Sequence, residues 1–337
     1  MRIDEIGGEF GLIERVQNYH AGSGGNGLVL SIGDDAAVVS LNSYEQAVVT
    51  TDMLIERIHF RRDWSDPYSI GWKAAAVNLS DIAAMGATPT FAFLSLALTS
   101  KETVENIDRL YDGFMDCLNR YGARLAGGDT NVSPDYMVIS VTQMGVIRAN
   151  RALVRTGARI GDTLLVTGTL GDSAAALALL NEYGLGKAEK IDKDLINSHR
   201  RPQPRVIAAR AAAATGKVHA AMDISDGIVG DVRKLCAASG VGARLESVEI
   251  PMSNALKNAA GILQRDPVSI ALAGGEDYEL LLAVAPGDVD DVIAAVGEVG
   301  TSLKPIGEVV KTGLRIMAAN AIDELNPDAL GFDHFGK

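Results

Sequence analysis

The hydrophobic pattern along the chain alternates between strand-like and helix-like periods. Residues 69–86 have a helical period, with an apolar stripe on one side and Lys73, Asn78 and Asp81 on the opposite, polar side. A short amphipathic helix is also expected over residues 3–20. Apolar runs of strand length, which predict β-strands, occur in LVLSIGDDAAVVS, QAVVTTDMLIE, FAFLSLAL and DYMVISVTQMGVI.

A turn-rich segment, RALVRTGARIGD, separates this first half from a second series of helices and strands. The pattern then predicts helices from Ser173, after Pro204 and from Ile228, and a strand across SIALAGGEDYELLLAV. A chain of 337 residues with 47% hydrophobic residues is also more than one core usually accommodates. We therefore expect an α/β (α+β) protein of two domains, residues 1–150 and 151–337, each a mixed β-sheet packed with helices.

Composition narrows the classes of function. A net charge of −12 disfavours nonspecific binding to nucleic acid or anionic membranes, since lysine and arginine hold phosphate backbones. Apolar runs are shorter than the roughly 18 residues of a membrane span, and MRIDEIGGEF does not read as an export signal. Cys117 and Cys236 lack C-x-x-C spacing, as expected in a reducing compartment. These features predict a soluble, cytoplasmic protein without a nucleic-acid or membrane partner.

Carboxylates recur beside glycine or other small residues after apolar runs. Turn chemistry or helix capping explains each of them singly. Together, in an acidic protein, they would repel one another unless a cation neutralised them. Because Mg²⁺ prefers carboxylate and phosphate oxygens, the recurrence predicts a magnesium site for a phosphate-bearing ligand. The residues concerned are Asp34, Asp35, Asp52, Asp81, Asp129, Asp223, Asp226, Glu276 and Asp277.

Familiar nucleotide-binding loops are absent or out of context. Gly22, Gly24 and Gly27 spell G-x-G-x-x-G, but they follow a predicted helix and open a strand, the reverse of a dinucleotide fingerprint. Protein-kinase motifs do not follow, and the chain has no Walker sequence. The segment is expected to be a flexible loop, so ATP would bind without a P-loop.

Few basic residues are candidates for phosphate binding. Arg155 could clamp phosphate oxygens, because a guanidinium group donates two parallel hydrogen bonds. The run from His199 to Arg205, HRRPQPR, could do the same or form a solvated surface stretch. His59 is equally compatible with a core histidine and a functional one.

Nine segments, in order, resemble motifs of the thiamine-monophosphate kinase family. They are SIGDDAAVV, TTDMLIERIHF, KAAAVNLSDIAAMGATP, LAGGDT, RALVRTGARIGDTLLVTGTLGDSAAAL, HRRPQPR, MDISDGIVGDV, LAGGEDYELL and GFDHF. The resemblance implies a PurM-like (AIR-synthase-like) fold, a homodimer formed through the N-terminal domain, and ATP bound between the domains. It also implies that ATP phosphorylates thiamine phosphate to thiamine diphosphate, assisted by several Mg²⁺ ions.

The resemblance further implies three sets of site residues. Magnesium ligands would be Asp34, Thr50, Thr51, Asp52, Asp81, Asp129, Asp223 and Asp226. ATP contacts would be Tyr111, Gly128, Asp129, Arg155 and Ser225. Thiamine phosphate contacts would be His59, Glu276 and Phe332, where a tryptophan or tyrosine is common in the family. No side chain is expected to act as a nucleophile, because the acceptor phosphate is already anionic and catalysis reduces to alignment.

Two alternatives stay open at this point. One is another PurM-like, ATP-dependent enzyme such as AIR synthetase, against which the SDIAAMGA and GFDHF motifs argue. Selenophosphate synthetase and the carbamoyl-dehydrating hydrogenase-maturation protein fit less well, because both need a sulfur-bearing residue that is missing here. The other alternative is a non-catalytic nucleotide or Mg²⁺ sensor, against which the intact acidic positions argue.

Overall fold

A computed structural model describes residues 27–317 and the backbone of Glu324–Leu325. The helix expected over residues 3–20, Gly22, Gly24 and Phe332 lie outside the described residues. The first sheet has the strand order β1-β2-β3-β6-β4-β5, and only the β4–β5 pair is parallel. Its strands are β1 (Leu28–Leu30), β2 (Ala37–Ser40), β3 (Glu45–Ile55), β4 (Thr88–Leu98), β5 (Arg124–Val132) and β6 (Val138–Arg148). Helices α1 (Pro67–Ala84) and α2 (Val104–Arg120) follow β3 and β4.

The second sheet has the order β13-β12-β9-β11-β7-β10-β8, with only β12 and β9 parallel. Its strands are β7 (Thr163–Thr167), β8 (Val218–Ile224), β9 (Gly242–Glu246), β10 (Glu279–Val284), β11 (Leu303–Val310), β12 (Leu314–Met317) and β13 (Glu324–Leu325). Its helices are α3 (Asp172–Tyr183), α4 (Leu185–Arg200), α5 (Val206–Ala214), α6 (Ile228–Ser239), α7 (Asn254–Leu263), α8 (Pro267–Ala273) and α9 (Val289–Glu298). Two mixed sheets packed with helices confirm the expected fold class. The domain limits, residues 1–150 and 151–337, stay a prediction.

Helix α1 is the central element of the structure. Asp66 caps its first turn by accepting a 3.1 Å hydrogen bond from the Ser69 N–H, and Pro67 fits the first turn because it needs no N–H partner there. The helix contacts β3 and β6 of the first sheet and β8 of the second. All of its residues except Pro67, Tyr68 and Asp81 are buried.

The polar side expected for this helix is therefore not solvated. Lys73 and Asn78 are buried with the apolar residues, because the second sheet covers the side of α1 that the first sheet leaves open. Sequence periodicity reports only that one side of a helix is polar. It does not report whether water or another part of the chain faces that side.

Two other expectations are wrong in detail. The segment SIALAGGEDYELLLAV is not one strand, because α8 continues to Ala273 and β10 begins only at Glu279. The acidic residues also do not all follow strand ends. Asp52 lies within β3, where it is in register with Val141 of β6, and Asp129 lies within β5. Both strands continue past their aspartates because ladder pairing with the neighbouring strand outweighs the local turn signal.

The described helices include none with the length and apolar character needed to cross a membrane. Cys117 lies on α2 and Cys236 on α6, and both are buried.

A glycine contact between α1 and α2 provides a test of this packing. A Cβ atom added to Gly71 would lie 1.9 Å from the Leu110 carbonyl oxygen, far inside van der Waals contact. We expect Gly71→Ala to lower the free energy of unfolding by about 1–3 kcal/mol or more, because the helices must separate. Urea denaturation followed by circular dichroism measures the change.

The control for this substitution is Gly261→Ala on α7, where an added Cβ meets nothing within 4 Å. Alanine is the better helix former by about 1 kcal/mol, so this variant should be as stable as the parent or more stable. Equal stability of Gly71→Ala and the parent would contradict the close helix contact.

Candidate active site

Three carboxylates from three separate elements converge at the junction of the two sheets. Asp35 lies in the β1–β2 connection, Asp81 on α1 and Asp223 on β8, and one oxygen atom from each lies within 4.8 Å of the others. Neighbouring hydroxyls orient two of them. The Thr50 hydroxyl donates to Asp81 Oδ2 at 2.5 Å, and the Ser80 hydroxyl donates to Asp223 Oδ2 at 2.6 Å.

Burial and mutual repulsion disfavour negative charge in this cluster. The pKa values of Asp81 and Asp223 are raised well above the ordinary range. Burial is the larger cause, and repulsion from the neighbouring carboxylates adds to it. Burial also raises the pKa of the nearby Asp34 and Asp52 to about 6. Asp35 Oδ2 is buried and has no hydrogen-bond partner among residues 27–317. A hard cation would neutralise the charge and use this oxygen, so the donor set fits Mg²⁺.

Arg155 supplies a positive charge at the edge of the cluster. Its guanidinium donates to Asp35 Oδ1 from Nη2 at 2.5 Å and from Nε at 3.2 Å. Its backbone N–H donates to Asp34 Oδ2 at 3.0 Å. Burial alone would lower the pKa of Arg155, but the adjacent carboxylates, Asp35 above all, raise it. Arg155 is therefore held as a cation beside the acidic cluster.

Asp35 is the site residue that sequence reasoning left out of the ligand set. The motif IGDD presents two adjacent carboxylates, and the family resemblance implies Asp34 as the ligand. In the structure, Asp34 accepts backbone hydrogen bonds from Arg155 and Asp35, while Asp35 faces Asp81 and Asp223. The signal was present in the sequence, but adjacency alone does not say which side chain points inward.

The other residues predicted on β3 are divided between the two faces of the sheet. The Thr50 side chain faces α1, and the Asp52 N–H donates to Asn78 Oδ1 of that helix at 3.1 Å. Thr51 is exposed on the opposite face, as strand alternation requires, and its hydroxyl donates to the Val141 carbonyl at 3.0 Å. Thr50 and Asp52 therefore lie with the cluster, and Thr51 lies across the strand from it.

Asp129 lies apart from the three clustered carboxylates. It is exposed on the edge strand β5, where it pairs with Ser95 of β4. Ser95 pairs in turn with Ser140 of β6, and Ser140 pairs with Met53 of β3. This register places Asp129 on the face opposite Thr50. Within residues 27–317, no recorded hydrogen bond or ion pair links Asp129 to the cluster. Its role as a metal and ATP ligand stays a prediction.

Two further predicted ATP contacts, Gly128 and Tyr111, are also part of the first sheet and its helices. A Cβ atom on Gly128 would lie 1.8 Å from the Leu94 carbonyl oxygen, so only glycine allows β5 to approach β4 there. Tyr111 is half-buried on α2, against the core. Their contacts with ATP stay predictions.

The loop after β8 is organised by a buried carboxylate that the sequence did not single out. Asp231 of α6 accepts hydrogen bonds from the backbone N–H groups of Ser225 and Asp226, both at 3.0 Å. Burial raises the pKa of Asp231 to about 6. Lys234 forms ion pairs with both Asp231, at 2.8 Å, and Asp226. Asp226 is thus positioned next to Asp223 by the start of α6.

The predicted substrate contacts Glu276 and His59 meet at a single buried ammonium group. Lys73 Nζ lies 2.7 Å from Glu276 Oε1 and donates to the His59 carbonyl at 3.1 Å. The imidazole Nδ1 of His59 accepts a hydrogen bond from the Ile55 N–H at 2.9 Å. The structure therefore brings these two residues together.

The remaining candidates have structural partners. Asp277 accepts hydrogen bonds from the Gly171 and Ser173 N–H groups at the start of α3. The run from His199 to Arg205 is not a solvated surface stretch. Arg200 is buried and paired with Asp66 and Glu189, and Arg205 donates to Glu279 Oε2 at 2.6 Å.

Family models match both halves of the chain. The model for AIR synthase related protein, N-terminal domain, matches residues 33–147, and the model for the C-terminal domain matches residues 159–318. The two sheets and the carboxylate cluster between them therefore define a two-domain protein of the AIR synthase related class.

Full-length relatives specify the family further. The thiamine-monophosphate kinase of Escherichia coli K12 is 37% identical over 330 residues, covering 97% of this chain and 98% of that protein. The Synechococcus elongatus enzyme of the same name is 37% identical over 310 residues, covering 90% and 91%. A solved structure described as AaThiL complexed with AMPPCP and TMP is 34% identical, covers 99% of each chain and has a TM-score of 0.84. This chain belongs to the thiamine-monophosphate kinase family.

Divalent-cation binding to the cluster can be tested without catalysis. Mg²⁺ should raise the melting temperature of the protein, because an ion at a hundred times its Kd stabilises the folded state by about 2.7 kcal/mol. Asp81→Asn should lose most of this increase. Without metal at neutral pH, the same variant should melt higher than the parent, because the raised pKa of Asp81 means that its charged form destabilises the fold.

The matched control is Asp194→Asn, an exposed acid on α4. This variant should keep the full Mg²⁺ response in differential scanning fluorimetry. An unchanged response in Asp81→Asn would contradict metal binding at the cluster.

Proposed function

We propose that this chain transfers the γ-phosphoryl group of ATP to thiamine phosphate, giving ADP and thiamine diphosphate. The observation that carries the proposal is the relative complexed with AMPPCP and TMP, which matches 99% of this chain. AMPPCP is an ATP analogue, and TMP denotes thiamine monophosphate in a protein of that family. The convergence of Asp35, Asp81 and Asp223 supports the proposal independently, because reactions of two phosphate groups need positive charge at such a site.

We further propose that several Mg²⁺ ions are required. Residues in and beside the cluster would hold them: Asp34, Asp35, Thr50, Asp52, Asp81, Asp223 and Asp226. Thr51 and Asp129, on the opposite face of the first sheet, are proposed as further ligands from the family resemblance. When bound, the ions would neutralise phosphate charge and orient the two reacting groups. ATP would contact Tyr111, Gly128, Asp129, Arg155 and Ser225.

The side chains themselves position the substrates. The acceptor oxygen of thiamine phosphate is already anionic, so no general base and no covalent phosphoenzyme are needed. Arg155 keeps a positive charge beside the phosphates, and His59, Glu276 and Phe332 would hold the thiamine phosphate. We assign the metal and ATP site and dimer formation to an N-terminal domain of residues 1–150. The C-terminal α+β domain, residues 151–337, would carry the substrate-contacting tail and contribute Arg155, Asp223, Ser225 and Asp226 to the site. A cytoplasmic location is supported by the free thiols of Cys117 and Cys236.

Activity is tested with purified protein, ATP, Mg²⁺ and thiamine phosphate, followed by chromatography of thiamine diphosphate. Free thiamine and formylglycinamidine ribonucleotide serve as parallel acceptors. We expect thiamine diphosphate only from thiamine phosphate, and only with Mg²⁺. ADP release with the ribonucleotide alone would assign the chain to the AIR-synthetase reaction, and no turnover with any acceptor would favour a sensor.

Asp129→Asn tests the predicted role of the carboxylate that lies outside the cluster. If Asp129 binds the metal–ATP complex, its loss should reduce kcat/KM by about a hundredfold or more. Asp194→Asn is again the control and should retain full activity. Full activity of Asp129→Asn would remove this residue from the site.

We also propose that two copies associate through the outer face of the first sheet. Met53 on β3 and Phe91 and Phe93 on β4 are 55%, 49% and 39% exposed, and these two strands flank β6 in the first sheet. Exposed apolar patches mark interaction sites more often than solvated surface. A second copy is the favoured occupant, because the family resemblance implies pairing through this domain.

The dimer is tested by sedimentation velocity on the purified protein. We expect a dimer for the parent and a monomer for Phe91→Glu/Phe93→Glu, because two buried charges would face each other across the interface. Ile207→Glu on α5, where the side chain is also 55% exposed, should remain a dimer. A monomeric parent would contradict the proposal.

A further inference from the structure

Lys73 is a charged side chain in a position where charge is costly. It lies on α1 and is 3% exposed, so its ammonium group has lost almost all contact with water. A buried ammonium persists only when its hydrogen bonds are satisfied by the protein. Its partners are Glu276 Oε1 at 2.7 Å and the carbonyl oxygen of His59 at 3.1 Å.

The other oxygen of Glu276 is held by His199. The Nδ1 atom of His199 lies 3.2 Å from Glu276 Oε2 and 3.0 Å from the Ser173 hydroxyl. An ionised carboxylate can only accept, so Nδ1 carries the proton in this contact. Burial, and then the nearby charge of Lys73, lower the pKa of His199.

These contacts keep Glu276 ionised although it is largely enclosed. Burial alone would raise the pKa of Glu276, but Lys73 and His199 together hold it below its usual range. Each carboxylate oxygen has two lone pairs, and each recorded contact uses one. The side chain is 27% exposed, so part of it can be reached from outside the protein.

The backbone of Glu276 is also fixed in an unusual conformation. Its φ of 65° lies in the left-handed region, which is uncommon for residues other than glycine. Its N–H donates to the Ser225 carbonyl at 2.7 Å. Gly275 permits this approach, because a Cβ atom there would lie 2.4 Å from the same carbonyl oxygen. Conformations of this kind persist where surrounding contacts over-determine them, often at ligand sites.

We propose that Lys73 is a positioning residue of the thiamine phosphate site. Its ammonium group ties the carboxylate of Glu276, from the second half of the chain, to the backbone of His59, from the first half. The two predicted substrate contacts are thereby held at a fixed separation, and the carboxylate is oriented toward the ligand. This inference rests on the proposed function.

The test is a double-mutant cycle with Lys73→Met and Glu276→Gln, using steady-state kinetics. Lys73→Met should raise KM for thiamine phosphate by about tenfold or more, as expected for a lost charged hydrogen bond, and should leave KM for ATP nearly unchanged. Glu276→Gln should also raise KM for thiamine phosphate. In the Glu276→Gln background, Lys73→Met should add little, because its partner is already lost.

A matched control separates positioning from stability. Arg205→Met breaks another enclosed ion pair, with Glu279, and should lower the melting temperature while changing KM for thiamine phosphate by less than about twofold. If Lys73→Met does not fold, Lys73→Gln keeps a donor for the His59 carbonyl and should show a smaller increase in the same KM.

The outcomes distinguish the inference from the function on which it rests. A parent protein that makes no thiamine diphosphate would overturn both. An active parent whose Lys73 variants keep the parental KM for thiamine phosphate, or raise both KM values equally, would overturn the inference alone. Independent, multiplicative effects of Lys73→Met and Glu276→Gln would also overturn it.

Discussion

The burial of helix α1 against both sheets is the constraint on which the site depends. A helix enclosed on nearly every side must find a partner inside the protein for each polar side chain it carries. The partners of its polar residues are the segments that form the site. Lys73 binds Glu276 and the His59 carbonyl, Asn78 accepts from the Asp52 N–H, and Ser80 donates to Asp223. The contacts that satisfy the polar side chains of this helix are therefore the same contacts that assemble the site.

The site divides into two regions with opposite electrostatic states. Around Asp35, Asp81 and Asp223, carboxylates outnumber the nearby cation, Arg155, and burial raises the pKa values of Asp81 and Asp223. Around Glu276, Lys73 compensates the negative charge and the pKa is lowered. An added cation would relieve the repulsion among the carboxylates of the first region. The second keeps its carboxylate ionised without one.

Backbone contacts connect these two regions. The loop that carries Glu276 lies directly on the segment that follows Asp223, through the hydrogen bond from the Glu276 N–H to the Ser225 carbonyl. Gly275 makes that approach possible. Asp231 holds the same segment from the other side through two backbone N–H groups. A shift of the loop after β8 would thus move both Asp226 and the Glu276 carboxylate.

The sequence by itself determined the class of fold, the recurrence of acids that suits magnesium, and the family, because periodicity and motif order are local properties of the chain. It also indicated Glu276 and His59, through the resemblance. Only the tertiary structure decided that Asp35 rather than Asp34 faces Asp81 and Asp223, and that Lys73 is buried against Glu276. It likewise decided that Arg200 and Arg205 form ion pairs within the protein, with Glu189 and Glu279. Such contacts join residues far apart in sequence, and local pattern does not specify which of two neighbouring side chains the rest of the fold will cover.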